Sequence, residues 1–319
     1  MRLVTFAARG QTRVGTLEGD WIVDLTRAAR AHYAARGLSR PGARARVLLP
    51  PSLLQVLIGG EEALALAREV AAGVRRGLGD PGRARELESD GVAWRAADVR
   101  LLPPIPNPPK ILCVGRNYAE HAREGGSPPP EVPIYFARFP HSLLGPGEPY
   151  VLPAVSEQVD YEGELTAVIG RRGRDIPESR ALEYVAGYTI FNDISIRDFQ
   201  RRTSQWMIGK NFDRSGPLGP ALVTRDEVPD PQSLRLTVDV GGERLQDAST
   251  GTMIFSVAHL ISDVSRALTL EPGDLIATGT PSGVGFARNP PRWLRAGDVV
   301  RISITNLGTL ETPIVPAAE

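Results

Sequence analysis

Residues 103–109 read P-P-I-P-N-P-P, five prolines in seven positions. Proline fixes φ and lacks an N–H, so this run can be neither helix nor central strand, and it stiffens an extended connection. It divides the 319 residues into two units. Residues 1–102 read as a small N-terminal accessory α+β domain. Residues 103–319 hold the clusters of acids, histidine and lysine.

In the first unit, residues 2–7 and 11–17 read as two strands turning at Arg9-Gly10, and Trp21 to Leu25 continues in the same style. Leu25 to Ala35 is an Ala/Arg-rich helix, Pro51 to Ile58 a short amphipathic piece, and Glu61 to Val74 a helix with apolar residues at helical spacing. None of these segments gathers acids or histidines.

Apolar residues make up 42% of the chain, enough for a sizeable core. Net charge is zero, without the basic footprint of a nucleic-acid binder. Cys113 is the single cysteine, which excludes an internal disulfide framework and a Cys-rich zinc site. No run of 18 apolar residues occurs and the start lacks an apolar leader, so the expectation is a soluble cytoplasmic protein with no membrane partner.

In the second unit, V-D-Y-E-G-E-L-T-A-V-I-G at 159–170 alternates with period 2. That is a strand pattern, and it predicts that Glu162 and Glu164 share a face, about 7 Å apart. A pattern like this also fits a solvated strand face; if the two acids enter a core they need a counter-charge, and a divalent cation is the simplest source. Tyr184 to Asn192 reads as an apolar strand ending at Asp193, a place for a third ligand, while Asp198 caps or pairs with an arginine. Arg201-Arg202 reads as a solvated surface pair.

His121 and Glu124 stand at i and i+3 on a short helix after Gly115-Arg116-Asn117. A carboxylate beside a histidine fixes its tautomer and suits it to activate water. Lys210 follows Gly209, where backbone can approach a ligand. Gly279 to Gly285 is a glycine-rich loop whose N–H groups and Thr280 hydroxyl suit a carboxylate, and it lacks the P-loop pattern.

Six stretches carry a family likeness: G-R-N-Y-A-E-H-A at 115–122, Y-E-G-E-L at 161–165, F-N-D-I-S-I-R-D-F-Q at 191–200, G-K-N-F-D at 209–213, M-I-F-S-V at 253–257 and P-G-D-L-I-A-T-G-T-P-S-G-V-G at 272–285. Over residues 110–315 the chain resembles the fumarylacetoacetate hydrolase family, in the branch with acylpyruvate and fumarylpyruvate hydrolases. The resemblance implies an α+β, mostly β fold, a mixed-sheet roll or sandwich, assembled as a homodimer. It implies that Glu162, Glu164 and Asp193 hold one Mg²⁺ or Mn²⁺ per chain. Hard oxygen ligands suit such ions. His121 and Glu124 match the water-activating dyad on a mobile segment. Lys210, Gln200 and Thr280 match positions near the substrate's oxyanion and carboxylate, and Arg116 meets an acidic substrate group. Arg138 departs from the lysine common there, and Arg214-Ser215-Gly216 departs from the usual sequence after G-K-x-F-D.

The reaction this implies is hydrolysis of a C–C bond in a 1,3-diketo acid, as in aromatic catabolism, through an enolate held at the metal. Lys210 would stabilise the oxyanion with help from Gln200. The same chemistry serves oxaloacetate decarboxylation, hydration of a 2-oxo-4-enoate, and keto–enol isomerisation. A non-catalytic carboxylate-binding protein would lack the dyad, whereas both members are present. The expected partner is a small keto acid, with no nucleic acid.

Overall fold

A computed structural model describes residues 1–317. Among these residues the architecture is α+β and dominated by mixed sheets. A 12-stranded sheet runs in the order Ala93–Arg95, Trp21–Asp24, Gln11–Glu18, Arg2–Ala8, Gly216–Thr224, Val185–Asn192, Gly163–Ile169, Leu275–Ala277, Ile111–Gly115, Ile134–Arg138. Arg100–Leu102 and Leu143–Leu144 pair to its side. Most pairs are antiparallel, but Leu275–Ala277 runs parallel to Ile111–Gly115. The N-terminal hairpin joins the sheet through Arg2 opposite Val223. The 103–109 proline run carries neither helix nor strand.

A five-stranded sheet, from Glu243–Ser249 to Tyr150–Val151, packs on one face of the large sheet. Leu165, Ala167, Tyr188 and Ile190 meet Leu236, Val238, Val300 and Ile302 there, together with the helix Val257–Ala267. The approach is close at Gly163, where a Cβ would lie 2.4 Å from Val238 Cγ2. On the other face, Val168, Ala186 and Leu275 join a cluster with Leu25, Leu53, Leu66 and Val70 from the N-terminal helices. Every residue of Gly163–Ile169 is therefore buried. A strand covered on both faces loses the in-and-out alternation of a half-exposed one.

Two local expectations change. The stretch 159–170 is not one strand. Val159–Asp160 pairs with Ser195–Ile196, the chain breaks at Tyr161-Glu162, and Gly163–Ile169 then enters the large sheet. Two helices, Pro41–Leu48 and Pro81–Ser89, went unread because both are short, arginine-rich and weakly periodic. Proline at the first helical position starts each, and the Asp80 carboxylate caps the second by accepting from Arg83 N. The Leu25–Ala35 helix stands as read, capped by Asp24.

Asn117 ties three segments together. Its fully buried amide donates to Phe255 O and Thr278 O at 3.0 and 2.8 Å, and accepts from Phe255 N at 2.8 Å. The short helix Ala119–Glu124 follows directly. Asn117→Ala strands one buried backbone group, Thr278 O, and two half-buried ones at Phe255, so equilibrium unfolding in urea should show a loss of about 2 kcal/mol. A loss below about 1 kcal/mol, the worth of one ordinary hydrogen bond, would contradict this tie.

Candidate metal centre and active site

The strand register assembles the three acids. Gly163 pairs with Asn192, so Glu162 and Glu164 flank the position facing the end of Val185–Asn192, where Asp193 follows. Glu162 O also accepts from Asp193 N at 2.9 Å. One carboxylate oxygen from each of Glu162, Glu164 and Asp193 lies within 4.8 Å of the others, and all three residues are buried. Asp160, also buried, accepts from Gly285 N, Phe286 N and Arg197 Nε.

Three buried cations answer these four acids. Lys210 Nζ donates to Glu162 Oε2 at 2.7 Å and to Asp193 Oδ2 at 2.5 Å. Arg197 forms ion pairs with Asp160 and Glu162 at 2.8 and 2.7 Å. Arg138 pairs with Asp193 and donates to Ser142 and Ser215. Burial would raise the Glu162 carboxyl, yet Lys210, Arg197 and His121 outweigh it and hold it well below the usual range. Burial likewise opposes the Lys210 charge, but Asp193 and Glu162 raise its pKa.

Glu164 is the acid left over. Among the described residues it has no ion-pair partner and accepts only from Gly279 N, at 2.9 Å. Burial first, then Asp193 and Glu162, push its carboxyl well above the usual range. With all four acids ionised, three cations would leave one negative charge, and the raised Glu164 carboxyl avoids it by holding a proton until a cation takes its place. A hard divalent cation between three oxygen donors would reverse that sign, so the residues present fit Mg²⁺ or Mn²⁺.

His121 Nδ1 lies 2.8 Å from Glu124 Oε1. Glu124 Oε2 accepts from Gly283 N at 2.8 Å, and Ser282 Oγ donates to Glu120 at 3.2 Å, which fastens the Ala119–Glu124 helix to the glycine-rich loop. A cavity of about 120 Å³ is lined by Arg116, His121, Glu162, Glu164, Gln200, Lys210 and Thr280 among others. Asp193 and Glu124 stand behind its wall, bonded to Lys210 and His121. A larger cavity of about 840 Å³ opens beside Arg13, Arg27, Arg30 and Arg46 in the N-terminal unit, and none of the site residues read from the sequence lines it.

The motif order has a counterpart in known proteins. Residues 110–315 match the model described as Fumarylacetoacetate (FAA) hydrolase C-terminal. The chain belongs to the fumarylacetoacetate hydrolase family. It is 45% identical over 231 residues, 72% of each chain, to an oxaloacetate tautomerase, mitochondrial, of Xenopus laevis. It superposes on a fumarylacetoacetate hydrolase of Exiguobacterium antarcticum with a TM-score of 0.77, 34% identity and full coverage of both chains. A fumarylpyruvate hydrolase of Pseudomonas aeruginosa, solved with Mn²⁺ and pyruvate, matches with a TM-score of 0.61 and 36% identity over 68% of this chain and 92% of that one. Among the described residues no helix is long and apolar enough to cross a membrane.

Several residues of this family member escaped the sequence reading. Arg197 lay inside a quoted motif, but nothing in its spacing revealed that it bridges Asp160 and Glu162. Arg138 was marked only as a departure, and its guanidinium is fully buried on Asp193. Gln246 holds the Thr280 hydroxyl at 2.8 Å and accepts from Gly163 N. Asp198 accepts from Ser156 rather than from an arginine. Arg201 and Arg202 are both exposed, as read, and the Arg201 side chain also reaches the rim of the cavity, its guanidinium 4.4 Å from the Phe286 ring centroid.

Two measurements on one variant check the charge account. Mg²⁺ or Mn²⁺ at a hundredfold excess over its dissociation constant should stabilise the protein by about 2.7 kcal/mol, read as a rise in Tm. Glu164→Gln keeps an acceptor for Gly279 N and removes the unbalanced charge. Its cation-free stability should not fall, while the cation-induced rise disappears. A retained rise would contradict the assignment of Glu164.

Proposed function

We propose that this chain is a divalent-cation-dependent enzyme that interconverts the keto and enol forms of a small 2-oxo acid, with oxaloacetate as the leading substrate. The observation that carries this is the compact cavity in which His121 and Lys210 share a wall with Glu162 and Glu164. The compact cavity and its polar lining suit a small oxo acid. The oxaloacetate tautomerases among the relatives support the same substrate.

Glu162, Glu164 and Asp193 would hold the cation, which supplies Lewis acidity toward the 2-oxo acid end. Lys210 helps hold the Glu162 carboxyl low and bonds Asp193, and two of its three N–H groups are used there. The third is free for a substrate oxygen. With Nδ1–H directed at Glu124, His121 presents Nε2 as the base that takes the C3 proton of the keto form while the C2 oxygen gains a proton from solvent, and the reverse direction returns a proton to C3 as that oxygen loses its own. Gln200 Oε1 accepts from Arg197 at 3.0 Å, which leaves its amide N–H groups for the substrate carboxylate. The Thr280 hydroxyl accepts from Gln246, so its own hydrogen is free for the same purpose. The bond from Gly283 N to Glu124 holds the dyad helix against the glycine-rich loop.

C–C bond hydrolysis of an acylpyruvate is the second reading. The Glu124-held His121 favours it, since the same Nε2 can take a proton from water, and so does the likeness to a fumarylpyruvate hydrolase. One cation per chain, a homodimer, cytoplasmic placement and an accessory role for residues 1–102 belong to this proposal.

The test follows the enol absorbance of oxaloacetate, with pyruvate release and acylpyruvate loss measured in parallel under saturating Mg²⁺ or Mn²⁺. Cation-dependent acceleration of the enol decay without pyruvate release is expected. Pyruvate release from oxaloacetate would instead mark a decarboxylase, and loss of acylpyruvate a hydrolase. No acceleration with any of these substrates overturns the proposal. His121→Ala should lower kcat/KM by roughly 10²- to 10⁴-fold, the usual worth of a positioned base.

A further inference from the structure

Four cationic side chains line the cavity: Arg116, Arg197, Arg201 and Lys210. Arg197 and Lys210 are committed to Asp160, Glu162 and Asp193. Arg116 and Arg201 make no ion pair with any described residue. Instead each lies against an aromatic ring of the cavity lining, Arg116 half-buried and Arg201 exposed at the rim. The Arg116 guanidinium carbon is 5.4 Å from the Trp206 ring centroid, and that of Arg201 is 4.4 Å from Phe286. The Arg197 guanidinium lies 4.5 Å from that same Phe286 ring. Two like charges at one ring repel, and only Arg197 is neutralised by carboxylates.

The backbone adds an independent sign. Arg116 has φ +56°, a left-handed conformation that costs a non-glycine residue energy and persists only where its surroundings impose it. The Trp206 ring packs over Gly115, where a Cβ would lie 2.3 Å from Cζ3, so the turn and the ring are locked together. The strained turn sets Arg116 at the cavity.

We propose that Arg201 and Arg116 form the subsite for a second, distal carboxylate of the substrate, which makes the substrate class a short 2-oxo dicarboxylate rather than a neutral-tailed acylpyruvate. This rests on the 2-oxo acid reading of the cavity. With a cation bound, the inner cluster carries one positive charge and matches the carboxylate of the 2-oxo acid end. The two unpaired guanidiniums then remain for the other end, and their planar forks suit a carboxylate. Arg201 and Arg116 are specificity residues here, and His121 remains the proton carrier.

The experiment uses unreactive probes on the Mg²⁺-loaded protein. L-Malate carries the distal carboxylate, L-lactate lacks it, and oxalate reports on the 2-oxo acid end alone. Calorimetry should give malate a Kd at least roughly tenfold below that of lactate, the worth of a hydrogen bond to a charged group. Arg201→Gln and Arg116→Gln should each shrink that ratio severalfold and disturb oxalate far less. Arg201→Lys should restore part of it, and in turnover KM for oxaloacetate should rise more than kcat falls. A ratio near one in the unmodified protein, or a ratio unmoved by both glutamine variants, overturns the subsite. Turnover of oxaloacetate with no malate preference removes the subsite and leaves the reaction. A malate preference with no turnover removes the reaction and leaves the subsite.

Discussion

Lys210 sits buried between the carboxylates of Glu162 and Asp193, and the site is arranged around the charge it leaves unbalanced. An unpaired carboxylate in a closed interior is costly, so buried charges come in compensated groups. Here Lys210, Arg197 and Arg138 compensate all but one. The remaining acid, Glu164, makes the pocket a place for a cation rather than a plain salt-bridge cluster. Lys210 also fixes the Asp193 carboxylate, to which it donates at 2.5 Å.

The fold creates that closed interior. Gly163–Ile169 is sandwiched between a five-stranded sheet and the helices of the first hundred residues. The site lies where this strand and its neighbour Val185–Asn192 reach their ends, beside the glycine-rich loop. Asp160 anchors the loop through Gly285 N and Phe286 N while pairing with Arg197. One buried acid thus couples loop position to cluster charge. Asn117 does the corresponding work for the dyad helix.

Much of this was legible along the chain, because acids at strand ends and a histidine–glutamate spacing are local patterns. Leu25–Ala35 and the N-terminal hairpin were legible for the same reason. What the sequence hid is non-local. Glu162 was placed inside a continuous strand because alternation cannot show that the chain leaves one sheet and enters another at Tyr161. Arg197, Arg201 and Gln246 carry no local pattern at all. Each acquires its role from a partner distant in sequence: Arg197 from Asp160, Arg201 from Phe286, and Gln246 from Thr280. In a chain with 37 lysines and arginines, spacing does not separate those folded into the cavity from those in solvent.

The central claim is that Glu162, Glu164 and Asp193 share one ion. Anomalous difference density from crystals grown with Mn²⁺ tests it most directly. The account predicts a single strong peak per chain within coordination distance of all three carboxylates, with Lys210 still bonded to Asp193. A peak elsewhere with these acids empty, or Glu164 turned away from the ion, would contradict it.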